Sequence, residues 1–297
     1  MNLIEIKKAR DSQMAKRVKA RNERIRLRQL AEATKAKTST TTTPTLITTT
    51  TTTPLPPIEG EMTLEICIHT FRYQRRLCWM LSSILQQKGD VPKIIVNISH
   101  TDNDGDPTTE EVCKFFRNKG LNIVETKVTK EQVPNRSIAR NMQAKATKAH
   151  YVLFADSDMV YNPDFFADIK QQLGTRFSKE TRVMGADRIS LNGEFCIKYF
   201  EEDKRAYPCE IINAAEICSK FPIKWVTGKM VCPGNFQLAS VKSIKNHGGI
   251  YTGGNRDFWR ATRSDRGFRC HMGGRVPINV KPQYHLNHDR GGPEIQR

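Results

Sequence analysis

No stretch of this chain approaches the run of about 18 apolar residues that a membrane helix needs. The first residues carry charge where a signal peptide would carry an apolar core, so neither a membrane anchor nor secretion is expected. Cysteine occurs eight times, at Cys67, Cys78, Cys113, Cys196, Cys209, Cys218, Cys232 and Cys270. No two of them stand in C-x-x-C spacing, and none joins histidine at zinc-finger spacing. Several lie in apolar runs, where a reduced thiol behaves as a small hydrophobe. The expectation is a cytoplasmic protein with free thiols. Acidic charge is also scarce. Against 48 Lys and Arg there are 31 Asp and Glu, a net charge of +17 and a pI of 9.6. Such an excess points to anionic partners: nucleic acid, an acidic surface or a phosphorylated substrate.

The positive charge is concentrated. Residues 1–37 hold 12 Lys/Arg and four Asp/Glu among good helix formers. Met14, Val18, Ile25 and Leu30 make only a thin apolar stripe. The expectation is a basic helix, either solvated or lying on nucleic acid. Residues 38–57 are almost all Thr and Pro, a composition that buries no core and reads as a disordered linker. Residues 58–297 form the third region, long enough for one large α/β domain.

From residue 58 onward, strand and helix patterns alternate. Leu64–Thr70, Lys93–Ser99, Asn122–Val128 and Tyr151–Ala155 read as strands. Arg76–Gln87, Glu110–Lys119 and Asn135–Ala149 read as helices between them. This order implies βαβ units and a mostly parallel sheet. Beyond Asp158 the pattern weakens. Asn162 and Pro163 read as a helix cap and first turn, and Asn192-Gly193 as a type I′ hairpin turn.

The run Tyr151-Val152-Leu153-Phe154-Ala155-Asp156-Ser157-Asp158 carries the chemistry. An apolar strand ends in two aspartates one residue apart. In open α/β sheets this is the edge where ligands bind. Hard oxygen ligands there suit Mg²⁺ or Mn²⁺, and such an ion bridges to phosphate oxygens. Asp also favours turns for local reasons, so the spacing alone does not decide.

The context adds to it. The segment NRSIARNMQAKATKAHYVLFADSDM resembles that of GT-A nucleotide-sugar glycosyltransferases of the family 2 type, in which an Ala-Arg-Asn helix leads into a D-x-D strand. LEICIHTFRYQRRLCWMLSSILQQ resembles the same family's opening strand, loop and helix. The resemblance covers residues 62–289 and implies a GT-A, Rossmann-like fold with flanking helices. It implies a nucleotide-diphosphate sugar as donor and, by direct displacement, inversion at the anomeric carbon. Asp156 and Asp158 would hold the divalent cation and the diphosphate. Thr70, Phe71, Arg72, Arg136, Arg140 and Asn141 would bind the donor, with Asp102 or Asp104 replacing the usual acidic readers of the nucleoside. Arg136 and Arg140 share one helical face and can meet phosphate oxygens. The ending YHLNHDR resembles a terminal H-x-x-H, so His288 or His285 would complete the metal shell. Asp257, with Asp265 second, would be the catalytic base, although an Asp there also suits a helix cap. Gly234 and Asn235 would lie on the acceptor side. Trp225 and Trp259 offer sugar-stacking faces, or serve as core.

The acceptor stays open at this point. A basic helix on a tether suits a polyanion, such as DNA with a hydroxylated base, as in virus-encoded enzymes acting in a host cytoplasm. A protein or polysaccharide is the alternative. D-S-D after a strand is also similar to haloacid-dehalogenase-like phosphatases, and a non-catalytic nucleic-acid-binding protein on the same fold is a third reading.

Overall fold

The computed structural model describes residues 60–105, 107–202, 210–226, 236–246, 268–269 and 272–287. All belong to the compact unit 54–297. The expected basic helix 1–37 and linker 38–57 lie outside the described residues.

Four parallel strands carry the first half: β1 Thr63–His69, β2 Lys93–His100, β3 Ile123–Lys127 and β4 Tyr151–Asp156. Helices α1 Gln74–Leu85, α2 Thr109–Asn118 and α3 Arg136–Ala146 connect them. Each begins or ends within about three residues of its expected bounds. Helix α2 starts with a capping box: Thr108 Oγ1 accepts from the Glu111 amide and Glu111 Oε2 accepts from the Thr108 amide.

Side chains of β1 alternate between two layers, as the pleat requires. Leu64, Ile66 and Ile68 pack with Leu77, Leu81, Val112 and Phe116 of α1 and α2. Cys67 packs on the other side, with Ala144 of α3 and Phe154 of β4. Glu65 shares that second side and is buried. Its carboxylate accepts from Asn97 Nδ2 at 2.8 Å and from the Thr147 hydroxyl.

The large sheet has seven strands among the described residues, in the order β10-β6-β9-β4-β1-β2-β3. Here β6 is Val183–Gly185, β9 Phe236–Ser240 and β10 Arg275–Pro277. Strand β9 runs antiparallel to β4 and β6, so the sheet is mixed but mostly parallel. A second sheet has the order β5-β11-β7-β8, from Met159–Val160, Gln283–His285, Arg188–Leu191 and Ile223–Val226. One of its faces packs through Val160, Leu191 and Leu286 onto Trp79 of α1 and onto Cys196, Phe200, Ala214 and Cys218. The last four come from α5 Gly193–Glu202 and α6 Ala214–Ser219, which follow α4 Phe165–Gly174 and precede α7 Val241–Asn246.

Two local expectations fail. Asn192-Gly193 is not a hairpin turn. Gly193 opens α5, and the Asn192 side chain accepts from the Phe195 amide at 3.0 Å, answering a donor that the helix leaves unpaired. Asn162 does not cap α4, which begins at Phe165 behind Asp164. The Asn162 side chain instead donates to the Pro282 carbonyl, tying α4's entry to the segment before β11.

Candidate active site

The strand order changes direction around β1: β2 and β3 lie on one side, β4 on the other. The carboxyl ends of β1 and β4 therefore flank the crevice where doubly wound sheets take ligands. Parallel register sets His69 opposite Asp156 at that edge.

Thr70 follows His69 directly. Its amide donates to the Ser99 carbonyl at 3.0 Å, and its buried hydroxyl has no hydrogen-bond partner among the described residues. Phe71 packs against Val128, Val133 and Ala139. Arg72 has φ +59°, a left-handed conformation uncommon outside glycine, and its guanidinium lies 5.1 Å from the Phe71 ring centroid.

Helix α3 aims its first turn at Asp156. Asn135 caps it, accepting from the Ser137 amide at 3.1 Å. Arg136 Nη1 and Arg140 Nη2 then reach Asp156 Oδ1 at 3.2 and 3.0 Å. Arg140 is buried, and its guanidinium lies 5.8 Å from the Phe154 ring centroid. Asn141 is half-buried on the same helix. The helix is fixed to the sheet by Gln143, whose Nε2 donates to Asn97 O at 2.9 Å and Ile68 O at 3.2 Å.

Asp158 is buried, and its Oδ2 lies 3.2 Å from His285 Nε2. Backbone pairing makes this contact. Strand β11 runs antiparallel to β5, His285 opposite Met159, and the Leu286 amide donates to Asp158 O at 2.9 Å. Buried Arg76, from α1, secures the segment by donating to Leu286 O at 2.8 Å and Asn287 O at 3.2 Å. Two carboxylates and an imidazole are a donor set that suits Mn²⁺. Asp156 turns to the arginines, however, and no group of three His, Cys, Asp or Glu among the described residues is gathered to hold an ion. Asp158 and His285 are the pair already in contact.

His69 was not singled out by motif. Its Nε2 lies 2.8 Å from Val133 O, which only accepts, so Nε2 carries the proton. Nδ1 then accepts from the Ser99 hydroxyl at 2.9 Å. Desolvation, joined by the nearby arginines, lowers its pKa to about 4. His69 is thus a neutral wall beside Asp156.

The other expected residues divide. Asp102 is exposed and ion-paired with Lys127 Nζ at 2.8 Å, which lowers its pKa. Asp104 is buried and occupied by Thr109, whose amide and hydroxyl it accepts at 2.9 and 2.5 Å. Trp225 lies on β8, outside the Asp156 cluster, with the Arg188 guanidinium 4.6 Å from its ring centroid. Asp257, Asp265, His288, Gly234, Asn235 and Trp259 lie outside the described residues. Sequence reasoning also passed over Arg76. Its signal was a guanidinium inside the otherwise apolar helix RLCWML.

A mostly parallel sheet with arginine-held and histidine-held aspartates at the β1/β4 edge is the architecture of a GT-A fold. Residues 65–176 match the family Glycosyl transferase family 2. No curated protein matches the chain in sequence. Among solved structures, S. aureus TarS 1-349 in complex with UDP is similar, with TM-score 0.53 and 16% identity. The likeness covers 75% of this chain and 60% of that one. A crystal structure of S. aureus TarS gives TM-score 0.51 and 17% identity over 75% of this chain and 36% of that one. At such identity the likeness is one of fold.

Proposed function

We propose that the chain moves a sugar from a nucleotide-diphosphate sugar to an acceptor hydroxyl, with inversion. The observation that carries this is the arrangement at the β4 end. Arg136 and Arg140 converge on Asp156, and Asp158 meets His285, at the sheet's ligand-binding edge. Two guanidiniums there match a diphosphate in charge and in hydrogen-bond geometry. UDP in the similar TarS structure supports a nucleoside diphosphate as leaving group.

In this reading the acceptor oxygen bonds to the anomeric carbon while the bond from that carbon to the phosphate oxygen breaks. The electron pair leaves on the diphosphate, where Arg136 and Arg140 stabilise it. Asp158 and His285 would hold Mn²⁺ or Mg²⁺, which when bound supplies Lewis-acid stabilisation of that leaving group. Asp257, with Asp265 second, is the proposed base that takes the acceptor proton. Thr70 and neutral His69 line the donor crevice. The basic residues 1–37 are proposed as a contact for a polyanion, on charge alone.

The test is nucleoside diphosphate release from a panel of nucleotide sugars, with and without Mn²⁺. One donor should give metal-dependent release, reduced about a hundredfold or more in Asp158→Ala. Absence of both release and donor binding would contradict the proposal.

A further inference from the structure

Helix α1 buries a cation. Arg76 is 0% exposed and sits in the first turn, beside the core residues Leu77, Met80 and Leu81. Neither burial nor helix formation favours it there. A buried charge is costly unless it is paired and hydrogen-bonded, and a cation in the first turn opposes the helix dipole. That turn holds no acidic residue to offset it. A leucine would fill the position without either cost, so the guanidinium is explained by what it bonds.

Its partners lie near the other end of the described chain. Arg76 Nη1 donates to Leu286 O at 2.8 Å and to Asn287 O at 3.2 Å, 210 and 211 residues away. The guanidinium carbon also lies 4.6 Å from the centroid of the Phe200 ring, on α5. The strand just before these carbonyls is short: β11 has three residues, and its partner β5 has two. Beyond His285 the chain is held by a clamp on Leu286. The Leu286 amide donates to Asp158 O at 2.9 Å, and the Leu286 carbonyl accepts from Arg76. Asn287 Nδ2 adds a bond to Leu191 O. The residue before the clamp is His285, whose Nε2 lies 3.2 Å from Asp158 Oδ2. The clamp therefore fixes the backbone from which that imidazole projects.

We propose that Arg76 is a positioning residue: it sets His285 against Asp158, and so sets the divalent-cation affinity of the donor site. This rests on the glycosyltransferase reading, in which that pair holds Mn²⁺ or Mg²⁺. Arg76 touches neither donor nor cation in this role. It acts through the backbone, as the outer partners of a metal ligand do when they fix its orientation. Lysine would replace it only in part. An ammonium is a compact point charge on a flexible stem, whereas a guanidinium is planar, pre-organised and able to stack on an aromatic ring.

The experiment has two readouts, both on the full chain. The first is equilibrium binding of UDP, GDP and ADP over a Mn²⁺ series. The nucleotide that the wild type binds more tightly with Mn²⁺ should show that gain in Arg76→Met only at Mn²⁺ concentrations about tenfold higher or more. Its binding without metal should be unchanged, because Arg136 and Arg140 stay in place. Arg76→Lys should fall between. Arg75→Met is the control. It removes the neighbouring cation, which donates to Phe200 O and not to the clamp, and it should keep the wild-type Mn²⁺ response. The second readout is amide hydrogen exchange without metal. Leu286 should exchange faster in Arg76→Met while β1 and β2 do not. Circular dichroism and thermal melting confirm folding, and Arg76→Lys supplies the reading if Arg76→Met does not fold. The proposal is overturned if the folded Arg76 variants keep the wild-type Mn²⁺ response. It is also overturned if their nucleotide binding falls equally with and without Mn²⁺, the mark of a merely structural role. In either case the transferase reading stands. A wild type that ignores Mn²⁺, or binds no nucleotide, overturns that reading's metal or donor step and the Arg76 role with it.

Discussion

Arg140 is buried whole beside an aspartate that is 31% exposed. A guanidinium in that position is stabilised by Asp156 and by the Phe154 ring. Arg140→Met should destabilise the fold by about 1–2 kcal/mol in urea unfolding. That is less than for a fully buried pair, because Arg136 still faces the partly solvated Asp156. Donor affinity should fall in the same variant. His69 gives a pH prediction. Its pKa falls from the ordinary 6.5 to about 4 on folding. As pH drops, the unfolded chain therefore takes up the proton first. The contribution is complete above pH 6.5 and is lost as pH falls toward 4. His69→Asn should flatten that part of the stability-versus-pH curve. An unchanged curve would mean that His69 is solvated. At this scale the sequence placed Asp156 and Asp158 at the end of an apolar strand and Arg136 and Arg140 on one helical face, and the family resemblance brought the two together. His69 was not, since its role depends on Val133 and Ser99, far away in sequence.

At the scale of elements, α3 matters most to the site. Its hold on the sheet runs through Gln143 to the carbonyls of β1 and β2. Gln143→Ala should cost about 1–3 kcal/mol and raise amide hydrogen exchange along Arg136–Ala146 before exchange in β1. Asn192→Ala should cost about 1 kcal/mol by uncapping α5. The first four strands were legible because apolar and β-branched residues gather in each between helical segments, as an unbroken run in β4 and interrupted by polar residues in β1, β2 and β3. The second sheet was not. Strands β5, β7 and β11 have two, four and three residues, too short for a period-two signal, and β11, the last in sequence, lies between β5 and β7 in space. Asn192-Gly193 misled for a related reason: an Asn that suits a tight turn suits a helix cap equally well.

For the whole molecule, Cys67, Cys78, Cys113, Cys196 and Cys218 are free and buried, and burial raises the pKa of Cys67, Cys113, Cys196 and Cys218. Mass spectrometry after a brief native alkylation should find these five unmodified, and all five should react in denaturant. Native labelling of Cys67 would contradict its place beneath Glu65. No helix among the described residues is long and apolar enough to cross a membrane. In the proposed function the β1/β4 edge grips a diphosphate through Arg136, Arg140 and the Asp158–His285 pair. Equilibrium binding of UDP, GDP and ADP, with and without Mn²⁺, tests it most directly. One nucleotide should bind more tightly with Mn²⁺. Asp158→Asn should remove that gain, and Arg140→Met should weaken binding in both conditions. Wild-type binding indifferent to Mn²⁺, or unchanged in the arginine variant, would contradict it.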